Sequence, residues 1–185
     1  FMSPEELGAE MQLVINATDP AFGVDILFGE AKGSDSASRN YTQEVKEHIE
    51  VTFSEDVPVI VSGLGNPSSI IERAHAAGII VMSLVGTSRQ ALSVEASGVD
   101  AIIASGIEGG GHVGRVGTLP LVAKVTDLVK VPVIAAGGLA DGRALVAALA
   151  LGAHGVWMGT RFIATEEARG HVNYKNRITE IDEDG

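Results

Sequence analysis

The sequence predicts an α/β fold with a parallel sheet, because short apolar runs alternate along it with segments of helical periodicity. The apolar runs are continuous rather than alternating, which is typical of strands that are buried on both faces. In the intervening segments, apolar residues recur at the spacing of one helix face. The predicted strands are Phe22–Leu27, Val57–Gly63, Ile79–Val85, Asp100–Ser105, Val131–Ala136 and Gly155–Met158.

Helical segments separate these strands. The first, Pro4–Ala17, opens with a capping box in which Ser3 and Glu6 are expected to exchange hydrogen bonds. A polar stretch over residues 30–56 interrupts the rhythm and is interpreted as a surface excursion with one helix near Thr42–Phe53. Such a stretch can serve as a lid or have no role, and both readings stay open. The other predicted helices are Ser68–Ala77, Ser88–Ser97, Leu119–Val129 and Gly142–Leu151.

Repeated strand–loop–helix units favour a (β/α)8 barrel of the TIM type over an open sheet. Residues 1–185 are therefore interpreted as one barrel domain. A closed barrel has eight strands, so the first two are expected to precede this chain, and unpaired edges are expected to promote association into a homo-oligomer. Glycine suited to a left-handed helix C-cap precedes three of the strands. These glycines are Gly78, Gly98 and Gly152.

Composition excludes several functions. The chain has 13 basic and 24 acidic residues and a formal net charge of −11, which argues against a nucleic-acid or anionic-membrane surface. A local phosphate site is still compatible with this charge, because backbone N–H groups can hold an anion. Without cysteine, the chain has no disulfide, thiol nucleophile or zinc–thiolate site, and no metal site is predicted. No apolar run reaches the ~20 residues that span a bilayer, and a cytoplasmic location is expected.

Glycine is most concentrated directly after the predicted strand Asp100–Ser105, in the stretch Gly106–Gly114. The carboxyl ends of strands carry the active site in parallel barrels. Three consecutive glycines cost conformational entropy on folding, so they indicate a backbone that lies flat against a ligand. His112 follows them and can titrate near neutral pH, which makes it the candidate catalytic base, with Glu108 next. A glycine-rich turn with a surface histidine is the alternative.

Two further strands end in glycine. Gly137 and Gly138 follow one of them, and Asp141 is a good N-cap for the next helix. The other ends in Trp157-Met158-Gly159-Thr160. Barrel phosphate sites use the loops after the last two strands, so these two ends are predicted to share one phosphate. Arg143 is assigned a structural role, and two ordinary tight turns are the alternative.

At these residues the chain resembles the nitronate monooxygenase family, formerly called 2-nitropropane dioxygenases. Flavin enoyl-acyl-carrier-protein reductases of the same fold are similar in the same places. The stretches that carry the resemblance are Phe22–Asp25, Val57–Val59, Glu108–Gly114, Val131–Arg143 and Gly155–Thr165.

The resemblance implies an FMN-dependent oxidoreductase that oxidises alkyl nitronates or nitroalkanes with O2. It implies that His112 lies beside the flavin and takes a proton from the substrate. The family often has Asn at the position of Asp25 and Gln at that of Ser105, so these two flavin contacts differ here. The remaining implied flavin contacts are Gly110, Gly138, Trp157, Met158, Gly159 and Thr160.

Two other functions stay open. The nearer is an FMN-dependent enoyl-acyl-carrier-protein reductase that uses NAD(P)H, which should reduce its flavin without any nitro compound. The other is a non-catalytic barrel that binds a phosphate ligand, or a degenerate fragment, and failure to bind FMN would favour it.

Overall fold

The computed structural model describes residues 2–17, 22–28, 36–111 and 114–182, with only the backbone described for residues 36–42. Six parallel strands form one sheet in chain order. Each lies within two residues of its predicted bounds. The strands are β1 (Gly23–Leu27), β2 (Val59–Leu64), β3 (Ile80–Val85), β4 (Ala101–Ser105), β5 (Val133–Ala136) and β6 (Gly155–Trp157).

Helices connect the strands, and two short ones near the carboxyl end were not predicted. The segment predicted as one helix over Ser68–Ala77 is divided into a 3-10 turn at Pro67–Ser69 and a shorter α-helix. The helices are α1 (Pro4–Ala17), α2 (Ser36–Ser54), α3 (Ile71–Ala76), α4 (Ser88–Ser97), α5 (Thr118–Thr126), α6 (Gly142–Ala150), α7 (Thr160–Ile163) and α8 (Val172–Glu180).

The two faces of the sheet pack differently. The outer face contributes residues such as Ile60 and Ile102 to the main core, where they meet buried residues of the helices, such as Leu121. The inner face forms a second apolar cluster of Val61, Ile103 and Ala136, with Val59, Met82, Leu84 and Ile134 packed against it. Helices on one face only are the arrangement of a barrel wall, whereas a doubly wound sheet has helices on both faces.

The sheet contains six of the eight strands of a (β/α)8 barrel, with β1 and β6 at its edges among the described residues. The predicted fold class, a partial TIM-type barrel, is therefore confirmed. Within the described ranges, no helix combines the length and apolarity that crossing a bilayer requires.

The polar stretch after β1 is mainly a helix. The helix in this stretch was predicted to start near Thr42, but α2 starts at Ser36 and ends at Ser54. Val45, Ile49 and Phe53 follow one another at intervals of one helical turn and pack against the core. The described part of this stretch thus continues the β/α rhythm instead of forming the predicted surface excursion, and residues 29–35 lie outside the described residues.

The local capping signals are confirmed. Ser3 N–H donates to Glu6 Oε2 at 2.8 Å and Glu6 N–H donates to Ser3 Oγ at 3.2 Å, which is a capping box. Gly78, Gly98 and Gly152 have φ of +74°, +98° and +89°, the left-handed conformation that favours glycine after a helix.

Candidate functional site

Most of the predicted site residues meet at the carboxyl end of the sheet. Ser105 pairs in register with Ala136, and Ala136 pairs with Trp157. Paired residues on parallel strands share a face, so Ser105 and Trp157 lie on the inner face with Ala136. Trp157 is 38% exposed there, which leaves part of its ring surface open to a ligand.

The loop after β4 begins in a tightly packed place. Gly106 N–H donates to Ala136 O at 3.0 Å, and Ile107 N–H donates to Val116 O at 2.9 Å, which closes the loop at its base. A Cβ on Gly106 would overlap the hydroxyl, peptide nitrogen and Cα of Thr118. Only glycine fits at Gly106, and the reason is backbone packing rather than a ligand.

The far end of the same loop lies against the end of β3. A Cβ on Gly114 would be 2.5 Å from Gly86 O, and one on Gly86 would be 2.9 Å from Gly114 Cα. Closer to β4 along the loop, Gly111 has a φ of +76°, and a Cβ on it would meet nothing within 4 Å. Residues 112 and 113 lie outside the described residues, so the role of His112 stays a prediction.

Glu108 is engaged in the protein's own hydrogen bonds. Its Oε2 accepts the peptide N–H of Thr118 at 2.8 Å and the Thr118 hydroxyl at 2.9 Å. A hydrogen bond from its own peptide N–H lowers the pKa of Glu108 most, and the two bonds from Thr118 lower it further. This arrangement keeps Glu108 ionised and makes it a poor reserve candidate for the base.

Thr118 is a central residue that the sequence analysis missed. It is 3% exposed, and its Oγ1 also lies 2.9 Å from Gly137 O and 3.3 Å from Ala136 O. The sequence offers one signal for it, a threonine directly before the apolar face of a helix, which is typical of a cap. Its contacts with the loop after β5 are visible only in the tertiary structure.

The ends of β5 and β6 are adjacent, as predicted. Gly137 and Gly138 have φ of +104° and +66°. Among the described residues, no hydrogen bond uses the peptide N–H of Gly138, Gly159 or Thr160. A Cβ on Gly159 would meet nothing within 4 Å. Free donors beside open space fit an anionic group such as phosphate.

The loop after β4 reaches the same place. A Cβ on Gly110 would lie 3.9 Å from Thr160 Oγ1, and one on Gly138 would lie 2.9 Å from Glu108 Cβ. The predicted cofactor-binding residues Gly110, Gly138 and Thr160 are therefore neighbours in space. At Gly138, however, the missing side chain makes room for Glu108.

Asp141 already occupies two of the N–H donors at the start of α6. Asp141 Oδ1 accepts the N–H groups of Arg143 at 2.9 Å and of Ala144 at 3.1 Å. Its other oxygen pairs with the Arg143 guanidinium at 2.6 Å, and this side-chain bond is the main reason that the pKa of Asp141 lies below its usual range. The predicted cap at Asp141 and the structural role of Arg143 are both confirmed.

Asp25 lies on β1 in register with Val61 of the inner cluster. A Cβ on Gly63 would lie 2.5 Å from Asp25 Oδ1, so the carboxyl group fills the space beside that glycine. Burial raises the pKa of Asp25 to about 6, and a hydrogen bond from the Gly63 backbone opposes this shift. Asp25 is exposed along one side of the edge strand, so at neutral pH it is a carboxylate that is only partly desolvated, and no cationic partner is found for it among the described residues.

Asp25→Asn should raise the unfolding temperature at pH 7.5, and the gain should shrink as the pH falls to 5. The folded-state pKa of about 6 lies above the unfolded value near 3.8. Between pH 3.8 and about 6 the folded protein retains a proton on Asp25 that the unfolded chain has lost. The free energy of unfolding therefore falls as the pH rises through about 6. Asparagine stays neutral and has no such loss.

Thermal unfolding of the wild type and Asp25→Asn across this pH range measures the effect. Asp182→Asn, an exposed position, controls for removing one negative charge. Parallel pH profiles for the wild type and Asp25→Asn would refute the raised pKa.

The sequence profile described as nitronate monooxygenase matches residues 1–185. A Mycobacterium tuberculosis protein named (3aS,4S,5R,7aS)-5-hydroxy-7a-methyl-1-oxo-octahydro-1H-indene-4-carboxyl-CoA dehydrogenase is 39% identical over 187 residues, which cover 100% of this chain and 49% of that protein.

Two solved structures are also similar. FabK from Thermotoga maritima has a TM-score of 0.85 and 40% identity, over 98% of this chain and 54% of that one. Nitroalkane oxidase from Streptomyces ansochromogenes has a TM-score of 0.84 and 28% identity, over 94% and 59%. The chain spans less than half the length of the curated relatives that it matches. Because the profile matches along the whole chain, the chain belongs to the nitronate monooxygenase family.

Proposed function

We propose that this chain forms most of the FMN site of an oxidoreductase that oxidises alkyl nitronates or nitroalkanes with O2. The observation that carries the proposal is the group of unused peptide N–H donors at the ends of β5 and β6, beside the glycine-rich loop after β4. Membership of the nitronate monooxygenase family and similarity to a nitroalkane oxidase support it. When bound, FMN supplies the electron transfer and the reaction with oxygen.

Different residues at the carboxyl end of the sheet would bind different parts of FMN. The N–H groups of Gly138, Gly159 and Thr160, with those of Gly137 and Met158 beside them, would hold the phosphate. Asp25, Ser105, Gly110 and Trp157 would contact the rest of the cofactor. The apolar residues of the inner face, among them Ile103 and Ala136, would keep water away from the reacting atoms, which strengthens every polar contact there.

His112 is the proposed general base. The carbon acid must lose a proton next to its nitro group, and an imidazole is suited to accept one near neutral pH. The loop that carries His112 is held at its base by Gly106 and at its far end by the contact of Gly114 with Gly86. Both anchors belong to strand ends of the same site.

The cofactor released from the purified protein should be FMN rather than FAD. The strand ends offer one group of free N–H donors, which suits one phosphate rather than the two of a dinucleotide. Denaturation followed by mass analysis of the released cofactor tests this. Recovery of FAD, or of no flavin from protein in which the whole barrel is present, would overturn the assignment.

A second function has a specific observation in its favour. The Mycobacterium tuberculosis relative is named as a dehydrogenase of a carboxyl-CoA substrate, so redox chemistry on an acyl thioester occurs among similar proteins. The corresponding candidate here is an enoyl-acyl-carrier-protein reductase. NAD(P)H should then bleach the flavin absorbance without any nitro compound, whereas the nitronate enzyme needs no nicotinamide.

Four further expectations accompany the proposal. The chain is expected to act as a single domain, in the cytoplasm, on a small nitro or nitronate substrate, and self-association through the edges of the sheet is predicted. Failure to bind FMN together with retained phosphate binding would favour a non-catalytic barrel.

A further inference from the structure

Three chain segments meet at Glu108 and Thr118: the loop after β4, the start of α5 and the loop after β5. Glu108 Oε2 accepts both the N–H and the hydroxyl of Thr118, at 2.8 and 2.9 Å. Thr118 Oγ1 lies 2.9 Å from the carbonyl oxygen of Gly137. The bonds connect residues 10 and 19 positions apart in the chain, so they join elements that no local interaction holds together.

The joint between these segments has little free space. A Cβ on Gly137 would be 2.7 Å from Thr118 Oγ1, and one on Gly138 would be 2.9 Å from Glu108 Cβ. A Cβ on Gly117 would be 3.3 Å from Glu108 Oε1. Glu108 is exposed on its outer side, so these contacts restrict its side chain only towards α5 and the loop after β5.

The charge of Glu108 decides where the Thr118 hydroxyl points. That hydroxyl has one proton, and both the Glu108 carboxylate and the Gly137 carbonyl are within reach. Hydrogen bonds to ionised acceptors are the stronger kind, and the lowered pKa of Glu108 keeps it ionised. The carboxylate thus receives both donors of Thr118 and also caps the N-terminus of α5, where negative charge is stabilised.

We propose that Glu108 is a positioning residue that acts through Thr118. It holds the loop that carries Gly110 and His112 in a fixed relation to Gly138 on the neighbouring strand end. This role rests on the proposed function, because those are the residues proposed to bind FMN and to take the proton. Glu108 itself contacts neither the cofactor nor the proton in transit.

Removing the carboxylate should weaken FMN binding. Because Glu108 is exposed and acts on FMN only through Thr118, Glu108→Ala should raise the FMN dissociation constant by about 10-fold. Thr118→Val, which lacks the hydroxyl but keeps the N–H, should raise it in the same direction. Thr118→Ser retains the hydroxyl and should recover most of the affinity, whereas Glu108→Gln keeps an acceptor without the charge and should fall between the wild type and Glu108→Ala. Glu6→Ala, which removes a glutamate from the capping box of α1, is the matched control.

Two readouts separate this role from the failure of the proposed function. Unfolding midpoints of Glu108→Ala, Thr118→Val and the double variant need no cofactor, and their effects should be strongly non-additive. The peptide N–H resonance of Gly138 should shift in both single variants and not in Glu6→Ala. Additive effects, an unmoved Gly138 resonance, or Glu108→Gln as impaired in turnover as Glu108→Ala would overturn the proposal. Protein that binds no FMN but shows the coupling and the shift would refute the proposed function alone.

Discussion

Replacing His112 with alanine should slow turnover of a neutral nitroalkane by about 10²- to 10⁴-fold, the usual contribution of general base catalysis. Turnover of the preformed nitronate should fall far less, because that substrate has already lost the proton that the base removes. Steady-state kinetics of the FMN-loaded protein on both substrates measures the difference. The two substrates share the same carbon skeleton and differ only by the proton that the base removes and the charge that its loss leaves.

The FMN content of His112→Ala should stay near the wild-type value, because the proposed phosphate donors at Gly138, Gly159 and Thr160 belong to other strand ends. His75→Ala is a suitable control, since His75 pairs with Asp100 at the amino end of β4, away from the site. Equal losses on both substrates would mean that His112 binds or orients the substrate. No loss on either would remove it from the site, and Glu108, held by Thr118, would not readily replace it.

Gly106→Ala should cause the largest loss of stability among glycine substitutions in the loop after β4. Its Cβ would overlap the backbone as well as the hydroxyl of Thr118, so the start of α5 must move. Overpacking of this kind typically costs about 1–3 kcal/mol in the free energy of unfolding and occasionally more. Because the same shift disturbs Glu108 and Gly137, FMN affinity should fall as well. Equilibrium denaturant unfolding measures the first effect.

Gly142→Ala provides the matched comparison. Gly142 is the first residue of α6, and a Cβ there would meet nothing within 4 Å. Its φ is not positive, so alanine should be neutral or stabilising by about 0.4–1 kcal/mol, mainly because the unfolded chain loses freedom. If Gly106→Ala is as stable as Gly142→Ala, the loop base relaxes more easily than its packing indicates.

Several elements of this protein could be predicted from short stretches of sequence. The strand Ala101–Ser105 is buried along its whole length, and a continuous apolar run with no polar alternation indicates that environment. Gly98 likewise predicts the end of α4, and Asp141 predicts the start of α6. These signals are local, since a capping residue bonds to backbone within a few positions of itself.

Other elements had weak local signals. α8, at Val172–Glu180, has no buried residue, and only two of its nine residues are aliphatic, so the apolar periodicity by which helices are recognised is weak. α2 extends further towards its N-terminus than its apolar residues do. In both cases the helix is present without the hydrophobic pattern that predicts one.

The sequence by itself determined the order of the strands and of the helices between them, the glycine-rich strand ends and the family, because each depends on neighbouring residues or on a contiguous motif. Only the tertiary structure decided that Glu108 caps α5 through Thr118, that Gly114 lies against Gly86, and that partial burial raises the pKa of Asp25. Each of these depends on the distance between atoms that are far apart in the chain or on the solvent that folding removes. Neither the interatomic distance nor the loss of solvent can be derived from the pattern of residue types.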